Sequence, residues 1–302
     1  DGTTYGIFYG FLLSIHSQSD PNRPVTTLEC ADLFSWLSQR QPTISALGST
    51  TTGAAIKAVL DEIGWPGSLR SLDAGDTIPD FSADGSSSSL DLINGLLEAE
   101  MGVFYINGSG VATFENRNAR YASTTSSSTI TGAANTLMRW DSSNDIATIF
   151  NAASVTRDGG TTQSASDTDS INAFGQRDMG NTTTPYLDTD AAALSRARLR
   201  VVRFKDPKTP ASASFVSAAS TTADLLARDL NDRVTITETF GGTSAKQYFI
   251  EQVGHTSDVW GGASDVRGGG SRLRTDWLLS EVPATGPFII GVTGVGEGYI
   301  GA

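Results

Sequence analysis

A single cysteine, Cys30, leaves this chain of 302 residues without an intrachain disulfide. Histidine is nearly as scarce. His16 and His255 are the only two, and with one thiol they offer little to a zinc site, which takes three or four His, Cys or acidic ligands. No run approaches the ~18 apolar residues of a membrane helix. The first residues, Asp1-Gly-Thr-Thr, contain neither a charged nor an apolar signal-peptide region, so no signal peptide is expected. The chain enters a strand almost at once, and residues upstream of Asp1 are expected to be absent from it. Positive charge is in short supply: 21 Lys and Arg stand against 33 Asp and Glu, giving a net charge of −12 and a pI near 4.5. Nonspecific binding to duplex DNA rests on neutralising phosphates, and such a chain is poorly made for it. Charged residues make up only 18% of the total. With abundant Gly, Ser, Thr and Ala, that favours β-structure with many turns over long charged helices. The length suits two or three domains.

Taken in order, residues 5–17 read as an aromatic-rich strand bent at Gly10, and Val25 to Cys30 as a second. Cys30, within Leu28-Glu-Cys-Ala-Asp-Leu-Phe34, is expected as a small core residue. Residues 31–37 read as a short helix turning Phe34 and Trp36 inward. Thr51 or Thr52 opens a helix with Ile56, Val59, Leu60 and Ile63 on one face, closed by Gly64 and Pro66. Residues 71–89 read as a loop anchored by Ile78 and Phe81. A second helix spans about 88–100, with Leu90, Ile93, Leu96 and Leu97 inward and Gly102 as its stop. A hairpin follows: residues 103–106 and 111–114 around Asn107-Gly-Ser-Gly110. Residues 123–134 form a Ser/Thr tract, read as a linker or a long loop. Strands are then predicted at 146–157, 171–179, 212–219, 233–240, 247–255 and 271–281, and a short helix at 222–230.

Among these strands lies one long helix, 190–205. Leu194, Ala197, Val201 and Phe204 share a face. Arg196, Arg198, Arg200, Arg203 and Lys205 occupy much of the rest and read as a solvated face, with a local anionic contact of the basic 196–208 segment as the alternative. Asp188 or Asp190 is the predicted cap, and Asp206-Pro207 the stop. A weak internal similarity is also present. Tyr9 to His16 and Tyr248 to His255 have the same spacing, and each stretch precedes a polar loop and another strand.

No residue pattern in the chain matches a catalytic or metal-binding arrangement. Neither histidine neighbours a Gly-x-Ser-x-Gly elbow, and both read as barrel-rim residues. The acidic pairs Asp167/Asp169, Asp188/Asp190 and Glu98/Glu100 look no different from caps and surface charge. No EF-hand spacing accompanies the Asp-x-Asp stretches. Gly296-Glu-Gly298-Tyr-Ile-Gly301 fits a dinucleotide fingerprint by letter, but no helix follows it. No catalytic, cofactor-binding or metal-binding residue is therefore predicted, no cofactor is expected, and the chain is read as a non-enzyme.

Two ordered sets of residues resemble the hub-type minor tail proteins of tailed bacteriophages. One comprises Asn151, Ala153, Val155, Asp167, Ser170, Ile171, Phe174, Gly175, Arg177 and Lys205-Asp206-Pro207. The other comprises Leu60, Ile63, Gly64, Trp65, Pro66, Leu97, Glu100, Gly102, Phe104, Tyr105, Ile106, Gly110, Phe114, Glu115 and Arg117. The resemblance covers roughly residues 50–285. It implies a mainly β fold with an α+β insertion: tail-tube-like antiparallel β-barrels plus a small two-helix and hairpin module. The expected division is 1–48 as part of a first barrel, 49–134 as the module and linker, 135–284 as a second barrel with the lateral helix, and 285–302 as a C-terminal extension. The resemblance further implies a virion protein at the distal end of the tail, a homo-oligomer expected to be a trimer. Its partners would be tail-tube proteins and a fibre or spike, with DNA passing without specific binding. The competing reading is a carbohydrate-binding adhesin using the five tryptophans, although Trp36, Trp65 and Trp277 lie in core-patterned segments. A secreted hydrolase is the third.

Overall fold

The computed structural model describes residues 4–19, 25–122, 125–131, 137–143, 146–208, 210–216, 222–237, 245–259 and 271–282. The chain divides into two units, each assembled from separated stretches. The first is Asp1–Ala119, Ser154–Gln163 and Asn181–Arg196; the second is Arg120–Ala153, Ser164–Gly180 and Ala197–Ala302. The expected 285–302 extension, including its Gly-rich stretch, lies outside the described residues.

The first unit begins with an antiparallel ribbon, β1 (Phe11–Gln18) and β2 (Val25–Ala31). Helix α1 (Leu33–Gln39) follows, capped by Asp32, whose carboxylate accepts from Phe34 N. After β3 (Thr43–Ile44) and β4 (Thr50–Thr51) comes α2 (Thr52–Glu62). Its cap is Thr51, which accepts from Ala54 N. Gly64 stands just past its end at φ 76°, in the conformation glycine adopts freely. The segment predicted as a loop carries three short strands: β5 (Arg70–Leu72), β6 (Thr77–Ile78) and β7 (Ala83–Asp84). β7 pairs with β3 and β6 with β4. Strands this short bury too little for an alternating pattern to show in sequence. Helix α3 (Ser89–Glu100) is capped by Ser88. Met101, not Gly102, takes the left-handed position at its end, at φ 59°. Gly102 is needed for space: a Cβ there would lie 2.6 Å from the Glu115 carbonyl oxygen. β8 (Val103–Ile106) and β9 (Ala112–Glu115) form the hairpin, with β5 added parallel to β9. The core is as the helix periodicities predict. Ile56, Leu60, Ile93 and Leu96 are fully buried with Ile78, Phe81 and Phe114, while Ile63 and Leu97 are partly buried against them.

After α4 (Ala119–Ala122), the Ser/Thr tract proves to contain a strand, β10 (Ser128–Thr131). Ser128 and Ile130 face inward in alternation with exposed threonines. The small polar residues hide this period in the sequence. Then come β11 (Leu137–Ser142), β12 (Ala152–Arg157), β13 (Gln163–Ser166) and α5 (Thr168–Phe174). The last overturns the strand predicted at 171–179. Asp167 accepts from Ser170 N and starts a helical turn, which Gly175 ends at φ 75°. β14 (Asp178–Thr184) follows, then the long helix α6 (Asp190–Phe204). β15 (Ala211–Val216), α7 (Thr222–Leu226), β16 (Arg233–Thr237), β17 (Lys246–Val259) and β18 (Ser271–Glu281) complete the chain.

Six strands of the second unit form one sheet in the order β10-β16-β17-β18-β15-β11. All neighbours are antiparallel except β10 and β16. This sheet curves as a half-barrel. Its buried face is built from Phe215, Trp277, Tyr248, Val234 and Ile236, with the Phe215 and Trp277 rings edge to face at 4.7 Å. The fold class is thus mainly β with an α+β insertion.

Candidate assembly surface

The β1–β2 ribbon is the most unusual surface of the first unit. Leu12 pairs with Cys30, Ser14 with Glu29, Ile15 with Leu28 and His16 with Thr27, with a bulge at Leu13. The bulge puts Leu12 and Ile15 on one face, together with Leu28 and Cys30. The other face carries Ser14, Glu29, His16 and Thr27. The ribbon is exposed on both faces: Leu12 is 52%, Ile15 59% and Leu28 60% exposed on the apolar face, and His16, Thr27 and Glu29 are exposed on the other. Cys30 is exposed with them, so the expectation of a core cysteine is corrected. The apolar pattern was read rightly, but no described residue covers that face.

The root of the ribbon is firmly held within the same unit. The Phe11 ring lies 5.1 Å from that of Trp36, and Tyr9 meets Trp65 edge-on at 6.2 Å. The backbones of Gly6 and Gly108 approach so closely that a Cβ on Gly108 would lie 2.1 Å from the Gly6 carbonyl oxygen. Residues 6–11 are thus seated on the β8–β9 turn and the tryptophans, while the strand pair beyond them is exposed on both faces.

Within the first unit, four charges meet. Arg196 is 2% exposed, the clearest departure from the predicted solvated arginine face. Its Nε donates to the Ala99 carbonyl at 2.6 Å and its Nη2 to Asp76 at 2.6 Å. Arg117 donates to Glu100 at 2.7 Å and to Asp76 at 2.9 Å. Glu100 also accepts from Asp76 N and from the Thr52 hydroxyl. Burial works against ionisation of Asp76, but hydrogen bonds and charges from Arg117 and Arg196 outweigh it and hold its carboxyl below the usual value. Neither predicted aspartate caps α6. Thr189, between them, accepts from Ala192 N, and Asp190 instead binds Arg157 and Thr161.

In the second unit, the residues of the first resemblance set close into one knot. The Asn151 amide donates to the Gly175 carbonyl at 2.8 Å and accepts from Arg177 N at 2.8 Å. The Ser170 hydroxyl donates to the Lys205 carbonyl at 2.6 Å, and the Lys205 ammonium to Asp167 at 3.0 Å. The Ser170 N–H is the main cause of a lowered Asp167 pKa, with burial opposing and Lys205 assisting.

These arrangements hold backbone together. Asp167, Asp190 and Glu100, one from each acidic pair, are each engaged structurally. His255 Nδ1 lies 3.0 Å from the Thr275 hydroxyl across β17 and β18, and burial lowers its pKa. His16 lies on the exposed ribbon. Among the described residues, no three His, Cys, Asp or Glu side chains converge as a metal would require, and no helix is long and apolar enough to cross a membrane. A small apolar cleft of about 180 Å³, lined by Ala165, Leu199, Val201 and Val202 among others, has room for about one large side chain.

The architecture has solved counterparts. A tail protein from Neisseria meningitidis MC58 superposes with a TM-score of 0.66 over 93% of this chain and 81% of its own, at 14% identity. It shares the fold of a tail protein. The 43 kDa tail protein of prophage MuSo2 from Shewanella oneidensis agrees, at TM-score 0.63 and 14% identity over 91% of this chain and 79% of that one. So does prophage tail protein gp18 from Listeria monocytogenes EGD-e, at 0.55 and 13% over 92% and 78%. A chain from the virion of a native gene transfer agent matches at 0.53 and 13% identity; 82% of this chain covers 51% of that one. No family profile and no curated protein matches the sequence.

Proposed function

We propose that this chain is a structural protein of a phage-type tail, forming the hub that closes the distal end of the tail tube. The observation that carries the reading is the breadth of the fold match. More than nine-tenths of the chain follows a tail protein, the α/β module and the half-barrel included. In this reading, three copies form a ring, and two tube-like barrels per copy give it pseudo-sixfold symmetry for stacking under a hexameric tube. The ring anchors the host-recognition fibre or spike and lets DNA pass. A chain with net charge −12 repels DNA and keeps it from sticking in transit. The adhesin reading finds less support, since none of the four described tryptophans is exposed; Trp260 lies outside the described residues.

The test is the position of the chain in the particle. A tag on the chain, imaged with an electron-dense label, should mark the end of the tail away from the capsid, and native mass of the purified protein should give a trimer. Label along the tube, or at the fibre tips, would refute the hub. A monomer with measurable glycan affinity would restore the adhesin.

A further inference from the structure

We infer that Lys208, with Arg120 and Arg203 beside it, binds a small oxyanion, a carboxylate or a phosphate, on the face of the six-stranded sheet opposite its core. Such a site goes beyond the tail reading and stands whether or not the chain is the hub.

The sheet places these groups. Tyr248 and Ile250 of β17 point into the core, so Phe249 between them faces the other way. It is nonetheless only 2% exposed. Two cations lie on it. The Arg120 guanidinium is 4.9 Å from its ring centroid, and that of Arg233, its cross-strand neighbour on β16, is 5.4 Å away. A bulge between Ile250 and Gln252 leaves Glu251 without a partner on β18. Its carboxylate turns to the same side, where Arg120 donates to both oxygens, at 2.7 and 3.1 Å. The stretch that ends α6 brings the rest. The Lys208 ammonium lies 5.0 Å over the Phe204 ring, next to Arg203 in sequence and space. Lys208 also feels Arg120 and Glu251, and Glu251 in turn feels Lys208.

Positive charge prevails at this point of an acidic chain. Glu251 has its oxygens engaged by Arg120 and by the Ser280 hydroxyl. Lys208 is half-buried and forms no ion pair among the described residues. Lys205, three residues earlier, shows the contrast: Asp167 accepts from it at 3.0 Å and raises its pKa. For Lys208 the shift is downward. Burial lowers its pKa first, then Arg203 and Arg120, and Glu251 and Asp206 do not make up the difference. An aromatic ring attracts a cation but does not neutralise it. An anion taken up from solution does, and it stabilises the charged form of Lys208 against its neighbours.

The ligand is one small group. Arg120 already holds Glu251, so the newcomer meets the ammonium, a compact point charge that accepts a carboxylate or a phosphate alike. Duplex DNA would need a row of cations, and the basic segment supplies none: Arg196 is buried, Lys205 is paired with Asp167, and exposed Asp206 stands between Lys205 and Lys208.

The test uses the full chain with a carbon label on its lysines and nitrogen-labelled backbone. Lysines number only four, Lys57, Lys205, Lys208 and Lys246, so each Cε signal can be followed by NMR. Inorganic phosphate and sodium acetate are titrated separately, at constant ionic strength set with chloride. Each should move the Lys208 signal saturably while Lys57 and Lys246 stay nearly still. Lys208→Met keeps the stem over Phe204 and removes the charge. It should weaken phosphate binding ~10-fold, read from the backbone amides of residues 203–208. Lys57→Met should bind as the wild type does. The ranking of the two arms names the source: tighter phosphate means a free phosphate or phosphate ester, tighter acetate a carboxylate group, and either supports the site. A Lys208 signal that does not saturate, or that moves no more than Lys57, overturns the inference. So does undiminished affinity in a folded Lys208→Met protein. Should that variant fail to fold, the wild-type titrations carry the test. Duplex DNA bound with the steep salt dependence of many phosphate contacts would assign these cations to a nucleic-acid track and overturn the single-anion site. Failure of the hub reading is separate: it would appear as a label elsewhere on the tail, with these titrations unchanged.

Discussion

Replacing Arg196 with Met should destabilise the first unit far more than any neighbouring arginine change. Met keeps the apolar stem that packs in the core and removes only the guanidinium. Three things are lost. The Ala99 carbonyl loses a charged donor at 2.6 Å, Asp76 loses its 2.6 Å partner, and the cluster falls from two cations against two carboxylates to one against two. Glu100, 1% exposed, then shares Arg117 with Asp76. Removing one partner of a buried pair costs about 3–5 kcal/mol. With a urea dependence of about 2–3 kcal/mol per molar, the unfolding midpoint of this unit should fall by roughly 1–2 M. Amide exchange in α2 and α3 should accelerate in step, because Thr52 and Glu100 stand at ends of those helices. Arg198→Met, at an exposed position one residue from Ala197, should change the stability by less than about 0.5 kcal/mol. The double change Arg196→Met with Asp76→Asn restores one cation against one carboxylate and should recover part of the loss. If Arg196→Met costs no more than Arg198→Met, the cluster is screened by water and the argument fails.

Leu60→Ala, in the fully buried face of α2, should lower stability by about 2–5 kcal/mol in a denaturant titration; an effect under about 1 kcal/mol would mean the module core is misread. Asn151→Ala strands the Arg177 N–H and the Gly175 carbonyl, and should cost about 2 kcal/mol or more by the same measurement on the second unit. For pH, the sign follows from the lowered carboxyl of Asp76. Its unfolded value is about 3.9, so its stabilisation is complete above that value and is lost as pH falls through the lower folded value. Asp167 acts in the same direction, and so does His255 at higher pH: burial favours its neutral form, so its effect on stability is felt as pH falls below about 6.5. Thermal melts across this range should show the contributions of Asp76, Asp167 and His255 lost toward acid, partly offset by Asp232, whose carboxyl burial holds above the usual value; an acid limb unchanged by Asp76→Asn would contradict the assignments.

The long elements were legible because each carries a period and a cap together. Thr51 and Ser88 announce α2 and α3, and the inward leucines and isoleucines follow at helical spacing. Short strands such as β6 and β7 were not legible, since two residues show no period. The strand at Ser128–Thr131 hid behind side chains too small and polar to look buried. The Asp167 cap was visible, but Ile171 and Phe174 read as strand residues until Gly175 is seen to end a helical turn. Arg196 was missed for a different reason. Nothing local distinguishes it from Arg198 or Arg200; its partners lie at Asp76 and Glu100, far away in sequence. As for the candidate surface, the ribbon was readable, whereas the direction in which its apolar face turns depends on what lies around it.

The parallel pairing of β10 with β16 has a bearing on how the chain folds as it is made. Ser128 sits opposite Val234, a separation of 234 − 128 = 106 residues. At roughly 5–20 residues per second, β10 leaves the ribosome about 5–20 s before its partner exists. No hairpin can close a parallel pair early. For that interval the segment waits with its hydrogen-bonding edge empty, and the Ser/Thr-rich sequence that concealed the strand also keeps the waiting segment from aggregating.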